Sequence, residues 1–308
     1  MSKSPTDVPG LFSSGESRID VAAWQTLIMS NRLSLQCGLK RVVYCKCNHN
    51  KQHEFLLLHF HHWDYSESAV AAVVIERIPK QDPRNNSSSR LIHTSNLISP
   101  SASETAAEDI VHTSRQGSSF PQYLADTYAP FTKLCTLDFS PLACPSAAQV
   151  SILLSVVNQH APYYDLYENQ CYWFSFTVWE TLKQLFPNCI ETHSALVDQR
   201  SHYRGFAIRK ADSVEVVCRD YDARWRDIEN EEELKRKADE ANKQQVVAER
   251  VRFEAERVRV QAEREAERVR VQAEREAERV RAEAEHIRMQ TEITELRATL
   301  AALSESTR

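Results

Sequence analysis

The chain has 308 residues, of which 42% are hydrophobic and 26% charged, with a formal net charge of −5 at pH 7. That length supports one or two domains plus an extended segment, and the near balance of charge excludes a basic nucleic-acid arm or an acidic tail. Five glycines in all leave no Gly-rich phosphate cradle, and the apolar runs are too short to span a bilayer.

Residues 1–18 are rich in Ser, Pro and Gly, and they are expected to be disordered. Asp20 is placed to cap a helix over Val21–Ser30, with Trp24, Leu27 and Ile28 on one face. Three strand-like runs follow, at 39–47, 54–63 and 69–78, separated by turn-forming stretches at 48–50 and 64–68. They predict an antiparallel meander. Residues 79–106 carry Pro79, Pro83, Pro100, Asn85, Asn86 and a Ser triplet, the composition of a mobile insertion. A short strand is expected at 109–113. Residues 115–145, broken by Pro and Ser, give no clear element beyond an apolar patch at 134–142.

Ser146 follows Pro145 and is a good N-cap for a helix carrying Val150, Leu153, Leu154 and Val157. After Pro162 comes the densest aromatic stretch of the chain, Tyr164-Asp165-Leu166-Tyr167-Glu168-Asn169-Gln170-Cys171-Tyr172-Trp173-Phe174. Phe174, Val178 and Leu182 are spaced as one helical face, so Cys171 falls in the first turn of a buried helix. Free N–H groups and the positive dipole end favour a thiolate there. Strands are expected at 203–209 and 214–219, and the globular head is expected to end near Trp225.

From about Ile228 the chain is almost all Glu, Arg, Ala, Gln and Val, all compatible with helix. Ala255-Glu-Arg-Val-Arg-Val-Gln-Ala-Glu-Arg-Glu recurs at Ala266 and in part at Ala277, a period of eleven. Such a repeat gives a straight or slightly right-handed supercoil. The stripe runs through Val258, Val269, Val280 and Ile287, then slips into a heptad-like Ile293, Leu296, Leu300 and Leu303. The last 80 residues hold 20 acidic and 17 basic side chains, too charged to build a core of their own. The expected fold is α+β: a small antiparallel sheet packed with helices over 19–225, then a long single helix or coiled coil over 226–308.

A nucleophilic cysteine needs a base and an orienter. His59 and His61 share one face of the second strand and are the candidate bases for Cys171. Asn169 or Asp109 could orient an imidazole. Cys45, Cys47, His49 and His53 suggest zinc, but no second paired set completes such a site. No metal or other cofactor is expected.

The aromatic segment, preceded by the 146–159 helix, resembles the Tyr-x-Leu … Asn-Cys-Glu-His-Phe segment of the lecithin retinol acyltransferase-like family, which is similar to NlpC-type peptidases with a permuted papain-like fold. The resemblance implies a histidine strand ahead of the cysteine helix, as with His59, His61 and Cys171. It also implies a thiol hydrolase or acyltransferase working through a thioester. The segment departs from that pattern where Gln170 separates Asn169 from Cys171 and Tyr172-Trp173 replaces Glu-His. The chain also resembles basidiomycete fungal proteins with a Gln-Cys-Tyr-Trp-Phe segment, a likeness that implies no activity. Two functions stay open. The first is a non-catalytic interaction or scaffold protein of the cytoplasm or nucleus, with an unknown protein partner and self-association through its C-terminal helix. The second is a cysteine-dependent hydrolase or acyltransferase.

Overall fold

The computed structural model describes residues 8–12, 15–48, 52–63, 70–80, 105–113, 119–128, 130–165, 170–203, 206–207 and 211–306. The expected turn at 48–50 beyond Asn48, the one at 64–68 and most of the expected insertion lie outside the described residues. The fold is mixed α+β. Its main strands are β1 (Ser17–Asp20), β2 (Cys37–Cys47), β3 (Glu54–His62), β4 (Val70–Pro79), β5 (Thr105–Thr113), β6 (Phe131–Phe139), β7 (Tyr163–Tyr164) and β8 (Cys189–His193). They form one sheet in the order β1-β5-β4-β3-β2-β6-β8, with β7 paired to the start of β5, and all its pairings are antiparallel. The predicted meander is its centre. A small hairpin, β9 (His202–Tyr203) and β10 (Phe206–Ala207), stands apart.

Helices α1 (Val21–Ser30), α3 (Ala147–His160) and α4 (Cys171–Leu185) cover one face. Asp20 caps α1 by accepting from Ala23 N–H at 2.8 Å. Ser146 and Gln149 close a reciprocal capping box on α3, which satisfies two otherwise orphaned donors. Because strand side chains alternate, Leu56, Leu58 and Phe60 of β3 meet this layer, in one core with Trp24, Leu153, Trp173, Phe174 and Trp179. Phe55 and Leu57 face the other side, where α2 (Ser119–Tyr128) covers a smaller core with Leu124 and Tyr128.

Several segments depart from expectation. Val8, Leu11 and Phe12 are buried, and Trp24 donates its indole N–H to the Gly10 carbonyl at 2.9 Å. Three apolar side chains thus dock a segment whose composition suggested disorder. Residues 115–145, unassigned from sequence, contain α2 and β6. Residues 214–219, expected as a strand, belong to helix α5 (Ala211–Ser306). Val214, Val217, Cys218 and Tyr221 are buried; their spacing of three and four makes a helical face, which outweighs the β preference of the valines.

The chain divides into two compact units, Met1–Asn230 and Glu231–Arg308. The second is helical, and its Val258, Val269, Val280, Ile293, Leu296 and Leu300 are exposed. Of the charge pairs legible in the repeat, Glu276–Arg279 forms at 2.7 Å and Arg259–Glu263 at 3.8 Å. No helix among the described residues is long and apolar enough to cross a membrane.

Candidate active site

Cys171 is the first residue of α4. Gln170 is the N-cap but makes no side-chain cap bond, so the first-turn N–H groups lack the usual cap acceptor. The Gln170 amide nitrogen is itself buried without a hydrogen-bond partner. Tyr164 lies beside Cys171, and burial first, then the neighbouring sulfur, holds its phenol well above the ordinary range.

The histidine beside Cys171 is His53, one residue before β3. Gln52, with φ 53°, turns the chain into that position, and the Cys47 N–H donates to the His53 carbonyl at 2.8 Å. Tyr172, next to the cysteine, donates its hydroxyl to the Gln52 carbonyl at 2.8 Å. Cys171 and His53 are therefore fastened to each other through their immediate neighbours.

His53 Nε2 lies 2.8 Å from Glu76 Oε2 on β4, and the same ring neighbours the Cys171 sulfur. Burial opposes charge on the ring. The hydrogen-bonded Cys171 sulfur and Glu76 carboxylate outweigh it and hold His53 well above its ordinary 6.5. Burial likewise opposes ionisation of Glu76, but hydrogen bonds from His112 and His53 hold it well below the usual carboxylate range. The His53 ring stacks on Tyr128 with centroids 6.5 Å apart. Cys171, His53 and Glu76 thus stand in series, an order in which a thiol, an imidazole and a carboxylate can carry out thiol acyl transfer.

His59 and His61 lie elsewhere. Six and eight residues further along, at about 3.3 Å per residue, they are about 20 Å or more from His53. Alternation also puts them on the sheet face opposite α4. Burial, then Arg41 and Lys133, lower His59 to about 4. His61 packs edge-on to Trp63 at 4.5 Å. Asp109 orients no imidazole: it receives two bonds from the Arg77 guanidinium, at 2.6 and 2.7 Å, and one from Asn158 at 3.0 Å. Arg77 in turn lies 4.7 Å from the Trp173 ring centre, which fixes the first turn of α4 against β4. Asn169 is outside the described residues.

The missed residues did leave a signal. Glu76-Arg77 interrupts the apolar run of β4, and buried charges occur only when paired. Adjacent strand residues face opposite ways, so Glu76 points to His53 and His112 while Arg77 points to Asp109 and α4.

A buried cluster borders the site. Glu54 accepts from the Tyr44 hydroxyl at 2.6 Å, Lys46 Nζ at 3.1 Å and the Ser201 N–H at 3.0 Å. Burial raises its carboxyl to about 7 against the pull of Lys46.

No family model matches the chain, and no curated protein or solved structure is similar to it.

Proposed function

We propose that the protein is a cysteine-dependent hydrolase or acyltransferase acting on an acyl ester, thioester or amide. The observation that carries this reading is the His53 imidazole held between the Cys171 sulfur and the Glu76 carboxylate. His53 takes the thiol proton, and the thiolate attacks the acyl carbonyl. The tetrahedral oxyanion collapses to a thioester as the leaving group departs with the proton from His53. Water or another acceptor, deprotonated by His53, then attacks the thioester, and the acyl product leaves as the thiol is restored. The unpartnered Gln170 amide is the donor available to the oxyanion.

The test is the rate of Cys171 alkylation by iodoacetamide against pH in the folded protein. Fast alkylation at neutral pH, lost in His53→Ala and kept in His59→Ala and His61→Ala, is expected. Cys171 is only 5% exposed. Resistance to the reagent until the protein unfolds would make it a core residue, and the head a binding module instead.

A second property is supported by the tail. The exposed Val258, Val269 and Val280 recur at the eleven-residue period and continue into Ile293, Leu296 and Leu300. A second copy of the same helix is the occupant with a matching period. Self-association through this seam would make the protein an oligomeric enzyme or scaffold.

A further inference from the structure

Glu76 serves two imidazoles. Its Oε2 faces His53, and its Oε1 lies 2.7 Å from His112 Nε2 on β5. The other nitrogen of His112, Nδ1, lies 2.7 Å from the Tyr123 hydroxyl on α2. His112 and Glu76 are enclosed, 7% and 6% exposed, while Tyr123 is half-buried.

We infer that His112 and Tyr123 are positioning residues for the Cys171 nucleophile, acting through Glu76, so that the working unit is the chain Tyr123–His112–Glu76–His53–Cys171. The inference rests on the thiol-enzyme reading above and extends it by two residues.

A carboxylate is acceptor-only, so both ring nitrogens facing Glu76 donate to it. With Nε2–H donating to Glu76, His112 as a neutral ring accepts at Nδ1 from the Tyr123 hydroxyl. Tyr123 thereby selects the tautomer of His112, as a partner on one ring nitrogen does for the other. The bond from His112 fixes the carboxylate plane and leaves Oε2 aimed at His53. It also supplies a second donor to a charge that burial would otherwise neutralise. The ionisable groups facing this unit are Cys47 from β2, Tyr128 from α2, Tyr164 from β7 beside Cys171, Arg77 from β4 acting on Tyr164, and Arg18 from β1 acting on Tyr123. Cys47, Tyr128 and Tyr164 are all raised, chiefly by burial, and so stay neutral at pH 7. Among the described residues that leaves the Cys171 sulfur and the Glu76 carboxylate as the groups that raise His53.

The experiment is the pH profile of Cys171 alkylation by iodoacetamide in the full chain, for wild type, His112→Ala, His112→Gln and Tyr123→Phe. Folding is checked by circular dichroism. Without its second donor Glu76 is a poorer anion, so the acid limb for His112→Ala moves up by about one pH unit, about tenfold slower at a given pH on that limb. Gln carries an amide N–H at a similar reach and restores the profile, while Tyr123→Phe, which keeps the ring and its packing, gives a smaller shift in the same direction. Superimposable profiles for the folded variants overturn the inference. So does an equal loss at every pH that Gln does not rescue, since that marks a packing role. A wild-type Cys171 that reacts like an ordinary thiol sinks the nucleophile reading itself; a fast wild type unmoved by His112→Ala or Tyr123→Phe sinks only this extension.

Discussion

Replacing Glu76 by Gln keeps the size of the side chain and removes its charge. The carboxylate receives two charge-assisted or neutral donors, from His53 at 2.8 Å and His112 at 2.7 Å. An amide has one acceptor oxygen to offer both. Whichever ring it serves, its NH2 then confronts the other, and a buried donor is left without an acceptor. A hydrogen bond to a charged group contributes about 1.5–3 kcal/mol, and 1.36 kcal/mol is one pKa unit. His53 in Glu76→Gln should therefore titrate about one to two units lower than in wild type, and alkylation of Cys171 at neutral pH should slow by about 10- to 100-fold. Histidine titration by NMR reads the first and iodoacetamide kinetics the second. An unchanged His53 titration in a folded Glu76→Gln protein would refute the reasoning. Stability carries a matching signature. Glu76 is depressed below 4.5 in the folded state, so its contribution is present above about pH 4.5 and lost as pH falls through the folded value. His53 is raised above 6.5, so its contribution is full below about pH 6.5 and lost as pH rises through the folded value. The gap in melting temperature between wild type and Glu76→Gln should be widest between those limits and close at both extremes.

Gln170→Ala should slow acylation of Cys171 by p-nitrophenyl acetate by about tenfold or more yet leave its alkylation by iodoacetamide unchanged, because only the first reaction builds an oxyanion. Parallel changes in both rates would assign Gln170 to packing. Asp109→Ala leaves the fully buried Arg77 without its carboxylate and should cost about 3–5 kcal/mol in urea unfolding; a loss under 1 kcal/mol would mean that water reaches the guanidinium. In the tail, Ile293→Glu with Leu300→Glu should shift sedimentation from oligomer to monomer. A wild type that is already monomeric at micromolar concentration would show that the exposed seam pairs with no second copy.

The helix starts were legible because each is written in a few local residues. Asp20, the Ser146–Gln149 box and the stripe from Phe174 to Leu182 place α1, α3 and α4 without reference to the rest of the fold. Cys171 at an N-terminus followed directly. The base was not legible in the same way. His59 and His61 stand in a regular strand where alternation can be counted, while His53 sits just outside it, delivered by the left-handed Gln52. Which histidine meets the cysteine depends on where the end of β3 lies relative to α4, a long-range fact that no local spacing encodes. Likewise, 214–219 is rich in β-branched residues and reads as a strand over six positions. Only with Tyr221 and Trp225 included does its helical face become visible. The orienter was within reach: two adjacent charges inside an apolar strand require two buried partners on opposite faces, and Glu76 and Arg77 have them.

The bond from Tyr172 to the Gln52 carbonyl has a further consequence. Cys171–Tyr172 and Gln52–His53 are two short covalent pieces closed into a ring by that contact and by the sulfur–imidazole interaction. If α4 slides or tilts as its core partners are exchanged, the tyrosine drags the start of β3 along with it. The two residues are thus indexed to each other as well as to the sheet, which His53 meets through Glu76 and the Cys47 N–H. Transplanting chemistry of this kind to another fold would call for the two dipeptides as one cassette, with the tyrosine hydroxyl as the pin that keeps them in register.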